Sequence, residues 1–163
     1  MIATLLNRDG TLDEAATRLS ETPADLSYIL QVADAKEAVS VERPTFGARV
    51  RKGDQPGLLV AYNSFVPPYP QEWEGRLADP PADEVDPRYV NLVRLANSEE
   101  FYGKLNVDGM KRLMEVGIHQ GGAMHDGTVH QVIAVPQELK LWIRGLGYSD
   151  WQQVDLKGLF KDS

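Results

Sequence analysis

"LSYILQVADAKEAVSVER", Leu26 to Arg43, decides the fold. Two apolar runs, "LSYILQVAD" and "EAVSVER", flank the short polar step "AK". Two strand-like runs joined by a short polar break predict a β-hairpin. Upstream lies "TLDEAATRLSE". Thr11 is a good N-cap and Glu14, three residues on, completes a capping box. Leu12, Ala15, Ala16 and Leu19 then share one helical face. Helix followed by hairpin is the first unit of the reading.

Downstream, Gly47 to Val50 extends the strands and "RKGDQPG" makes a turn. "LLVAY", Leu58 to Tyr62, has no polar alternation and reads as a strand covered on both faces. Most of the chain's prolines fall between Val66 and Pro87, which predicts a surface loop over 66–87. "DPRYVNLVRLANS" begins with a proline suited to a helix start, and "DGMKRLMEVG" is a second, shorter helix. "HQGGAMHDG" is a glycine-rich loop. "TVHQVIAV" and "ELKLWIRG" flank "PQ" as a hairpin, and "WQQVDLKGLF" is a last extended piece. Strands and helices come in groups, which indicates an α+β chain with a largely antiparallel sheet, read as a single domain over 1–163.

The 163 residues suffice for one domain with a real core. A net charge of −7 and a pI near 4.9 argue against a nucleic-acid surface and against an anionic membrane as partner. There are no cysteines, so disulfides, thiolate metal sites and cysteine nucleophiles are excluded within this chain. That composition fits a cytoplasmic protein. "MIATLLNRDG" lacks the pattern of a secretory signal, and no stretch is long enough to span a membrane.

Three histidines, His119, His125 and His130, lie near Asp126. Their spacing matches no zinc motif, so they read as two loop histidines and one strand histidine, and no metal or cofactor is expected. "GIHQGG" and "HDGT" are turns and not phosphate-binding loops. Trp73, Trp142 and Trp151 read as core or rim aromatics, and "DPPADEVD" as a solvated loop face. Asn63 ends the apolar run at "YNSF". It is read either as a turn asparagine tolerant of a left-handed backbone or as a preorganised amide donor for a developing oxyanion.

Read together, four segments resemble the C-terminal part of the N-terminal-nucleophile amide hydrolases, the family of choloylglycine hydrolase, penicillin V acylase, acid ceramidase and acyl-CoA:6-aminopenicillanate acyltransferase. They are Thr11–Pro44, "LLVAYNSFVPP", "DPRYVNLVRL" and "GTVHQVIAVPQELKLWIRGLGYSDWQQVDL", in the family's order. The resemblance implies part of an αββα sandwich, with two antiparallel sheets stacked face to face and helices outside, so that strands such as "YILQVA" and "LLVAY" are buried on both faces. It implies an oxyanion-hole role for Asn63 and a supporting role for Arg88 at the helix start. Tyr62 stands where many relatives have threonine. The family's nucleophile is an N-terminal cysteine whose own α-amine is its base, and this chain has none.

The resemblance therefore leaves three alternatives: the C-terminal portion of a longer enzyme, a subunit that meets an N-terminal partner, or a non-catalytic binding domain. The abrupt start "MIATLLN" favours the first two. In either case an open sheet edge and apolar face are expected to draw the missing half or a second copy. The implied substrate is an acylated amide small molecule, hydrolysed or passed to an amine, with the 66–87 loop as a candidate for its selection.

Overall fold

The computed structural model describes residues 10–53, 55–77 and 85–159. Met1–Leu6, and most of "DPPADEVD", lie outside the described residues. The chain is α+β, with three α-helices and two three-stranded antiparallel sheets among the described residues. Its internal contacts divide the stretch 1–163, which the sequence reading treats as one domain, into two compact units meeting in sequence at Asp86 and Pro87.

The first unit opens with α1, Leu12–Glu21. The Glu14 N–H donates to Thr11 Oγ1 at 3.2 Å and the Thr11 N–H to Glu14 Oε2 at 3.1 Å, which is the capping box that the sequence predicts. Leu12, Ala15, Ala16 and Leu19 are all buried. Strands β1 (Tyr28–Ala33), β2 (Ala38–Arg43) and β3 (Arg49–Arg51) follow in that spatial order, with β2 central. The register pairs Leu30 with Val41 and Val32 with Val39. Because side chains alternate across a strand, these four share one face, and α1 packs there to form a dry core. Ser40 and Glu42 point to the other face, opposite Arg51 and Arg49. Arg43 ties the layers together: its guanidinium donates to the Thr22 carbonyl at 2.6 Å, at the end of α1, and to the Gly47 carbonyl beyond β2.

Three expectations need correction here. "YILQVA" is not buried on both faces: β1 is a sheet edge, and its Gln31 and Ala33 are exposed. The strand buried from Val39 to Arg43 is β2, which is less apolar but central. "LLVAY" belongs to neither sheet; Leu58 forms an isolated bridge with Gln55, and the Val60 carbonyl accepts from the Arg51 guanidinium. Finally, 66–87 is not simply a surface loop. Val66 is buried, and a 3₁₀ turn at Gln71–Trp73 drives the Trp73 ring into the interior at 1% exposure.

The second unit holds α2 (Pro87–Ala96), α3 (Val107–Glu115), and strands β4 (His130–Val135), β5 (Lys140–Gly145) and β6 (Gln152–Asp155), in the order β4-β5-β6. Asn106 caps α3 through the Gly109 N–H at 2.9 Å. Phe101, Leu113 and Ile133 are buried. Buried Gln131 donates to the Met114 carbonyl at 2.6 Å and accepts from Arg144 Nε at 2.8 Å, and Arg144 also holds Glu115 at 2.7 Å. The hairpin forms as read, but its turn is longer than "PQ": it is a 3₁₀ turn at Pro136–Glu138 closed by Leu139 at φ 51°. Val132, paired with Ile143, and Val154, paired with Leu141, lie on one face of this sheet, and Val132, Ile143 and Val154 are 37–45% exposed.

Candidate functional site

The sequence brings Asn63 to a cleft of about 840 Å³ within the first unit. Ser27 and the β1 residues Tyr28, Ile29 and Gln31 supply one wall; the turn after β2 supplies Thr45 and Phe46. Ala61 to Phe65 forms another wall, with Tyr69, Arg76 and Leu77 completing it. Five aromatic side chains therefore face one cavity beside a few hydroxyls, two carboxamides and one guanidinium. Apolar walls with few convergent polar groups are the ordinary make-up of a small-molecule site.

The walls are set by packing behind them. Trp73 meets Phe46 edge to face with centroids 6.2 Å apart, and Phe65 in a tilted arrangement at 5.5 Å. Gly47 permits this approach, since a Cβ there would lie 2.9 Å from Trp73 Nε1. The Arg76 guanidinium stands 4.2 Å from the centre of the Phe46 ring, a favourable cation–π geometry. Tyr69 donates to the Phe65 carbonyl at 3.2 Å. Burial pushes its phenol above the ordinary value, the neighbouring Tyr62 and Glu42 add to this, and Arg49 opposes it. Tyr69 is thus a neutral hydroxyl at physiological pH.

Under the Asn63 segment lies a polar group that sequence reasoning missed. Glu42 is fully buried. It accepts from Arg49 Nε at 2.8 Å, from Arg51 Nε at 3.2 Å and from the Val66 N–H at 3.4 Å. Arg49 further donates to the Val66 and Pro68 carbonyls, and Arg51 to the Val60 carbonyl. A signal was available in the sequence: Ser40-x-Glu42 and Arg49-x-Arg51 are polar pairs at strand spacing, and the Glu42 charge is opposite to that of the two arginines.

Asn63 itself is exposed on the cleft wall. Arg88 is the second residue of α2 and half-buried, in the other unit. His119, His125 and His130 are exposed, and His125 Nδ1 accepts from the Gly127 N–H at 3.0 Å. Among the described residues no group of three or more His, Asp or Glu is set to hold a metal ion, and none of these residue types lines the cleft. The described walls offer hydrogen-bond donors and apolar surface, without a nucleophile paired to a base. No helix among the described residues is long and apolar enough to cross a membrane. No family model matches the chain, and neither a curated protein nor a solved structure matches it.

Proposed function

We propose that this chain is the C-terminal part, or a subunit, of a linear-amide hydrolase or acyltransferase of the N-terminal-nucleophile kind. In this reading a thiolate from outside these residues attacks the amide carbonyl. The Asn63 side-chain amide donates to the oxyanion that forms, and water or an amine then takes the acyl group. The observation that carries the reading is the position of Asn63 on the wall of an aromatic cleft. The partly exposed Val132, Ile143 and Val154 support a further layer or a second copy against the other sheet.

The cysteine-free sequence favours a second reading, a domain that binds an acyl-amide without cleaving it. Intact mass and N-terminal sequencing of the native protein and its copurifying chains separate the two. The first reading expects a longer polypeptide or a partner beginning with cysteine. In that active form Asn63→Ala lowers kcat by about 10²–10³-fold, the cost of one oxyanion donor. Unchanged turnover in a normally folded variant sinks the role of Asn63.

A further inference from the structure

We infer that Glu42, Arg49 and Arg51 form a clamp that sets the position of the Asn63 amide. Asn63 sits on a segment with no ladder of its own, since Leu58 to Tyr62 joins neither sheet. Other groups must hold the backbone on either side of it. The hydrogen bonds show which do. Arg51 holds the carbonyl of Val60, three residues before Asn63; Arg49 holds those of Val66 and Pro68, three and five residues after it. Both guanidiniums are anchored on one buried carboxylate, which also takes the Val66 N–H directly. The loop is therefore gripped on both sides of Asn63 by groups rooted in β2 and β3.

The residue types suit this task. A guanidinium carries five donors in a rigid fork, so a single arginine bridges a carboxylate and two carbonyls, which an ammonium does not do with fixed geometry. A buried ion cluster is a poor device for stability alone, because apolar residues of equal volume do as well or better. Positional definition is a different requirement. An oxyanion donor must be held within about 0.5 Å of its productive place, and a shift of about 1 Å costs on the order of 10²-fold in rate. These are positioning residues, since none of the three is among the residues that line the cleft.

For its catalytic consequence the inference rests on the oxyanion reading; its geometric content stands apart from it. The test therefore has two readouts. In the ¹⁵N-labelled 163-residue chain, Glu42→Gln and Arg49→Lys are expected to shift or broaden the Asn63 side-chain amide signals, while the amides of α1 and of β4 to β6 stay in place. An Asn63 signal unmoved in both variants overturns the clamp. Should Glu42→Gln unfold the chain, Arg49→Lys, which keeps the charge and removes the fork, decides alone. In the active form, both variants are expected to lower kcat about 10–100-fold per folded molecule with KM nearly unchanged. A loss that tracks only the folded fraction overturns the catalytic consequence. If Asn63→Ala leaves turnover untouched while Glu42→Gln still displaces the Asn63 signal, the clamp stands and the oxyanion reading falls.

Discussion

Trp73→Ala tests whether the Pro-rich stretch is core or surface. Its sequence context, between "VPPYP" and a run of acids and prolines, reads as a loop, and a loop substitution typically stays within about ±0.5 kcal/mol. The structure places the indole at 1% exposure, between Phe46 and Phe65 and with the Arg49 guanidinium 5.5 Å from its ring centre. Truncating a buried tryptophan costs about 3–5 kcal/mol, because the walls close only partly around the cavity left behind. For a chain of this size each kcal/mol moves the midpoint by about 2–4 °C, so Tm should fall by roughly 6–20 °C. Far-UV circular dichroism is the suitable assay, since Trp142 and Trp151 would cloud a fluorescence melt. Combining Trp73→Ala with Phe65→Ala should expose a coupling of about 0.5–1.5 kcal/mol, as expected of an aromatic pair in contact. A drop smaller than about 2 °C would place Trp73 on the surface and remove the support assigned to Phe46 and Phe65.

Two further outcomes follow from local geometry. Asp34 Oδ1 accepts from the Lys36 and Glu37 N–H groups at 2.7 and 2.9 Å at the apex of the β1–β2 hairpin. The Glu37 and then the Lys36 backbone hydrogen bonds hold its pKa below 3.8. A depressed carboxylate stabilises the fold fully above its unfolded value and loses that contribution as pH falls through the lower, folded one. The amide shifts of Lys36 and Glu37 should therefore titrate together below about pH 4 and lose that transition in Asp34→Ala; an unchanged titration in the variant refutes the assignment. Gly109→Ala sets two effects against each other. Alanine gains about 1 kcal/mol in helix propensity, but its Cβ would lie 2.0 Å from the Lys104 carbonyl oxygen. Overpacking of about 1–3 kcal/mol should win, so chemical denaturation should give a lower midpoint, and a higher one would mean that the Lys104 turn yields freely.

Local patterns were legible where local physics decides them. Thr11 and Glu14 specify the start of α1 because a cap needs only neighbours in sequence. Leu12, Ala15, Ala16 and Leu19 specify its buried face for the same reason. The two hairpins could be read from apolar runs broken by short polar steps. Asn63 was visible as an oddity, and its cleft was not, because the walls come from segments as distant as Ser27 and Leu77. Trp73 reads as a core or rim aromatic and is buried, although the Pro-rich stretch that carries it reads as a surface loop. Prolines mark where regular hydrogen bonding stops, and they say nothing about whether the side chain between them turns inward.

The misreading of burial among the strands has one cause. Hydrophobicity ranks β1 and "LLVAY" above β2, yet burial follows position in the sheet, and β2 is central. A central strand can carry Ser40 and Glu42 only if their polar atoms find partners: Gln31 on β1 donates to the Ser40 hydroxyl, and Arg49 and Arg51 on β3 donate to Glu42. The period-two alternation thus divides one small sheet into two jobs. Val39 and Val41 face α1 and contribute apolar burial. Ser40 and Glu42 face away, where β3 supplies Arg49 and Arg51 and Glu42 reaches the loop bearing Asn63. Changes on the α1 face should therefore act on stability and leave the cleft's geometry intact in whatever fraction remains folded. Changes at Glu42 should act on the cleft first, because it accepts the Val66 N–H and anchors the two arginines that hold that loop's carbonyls.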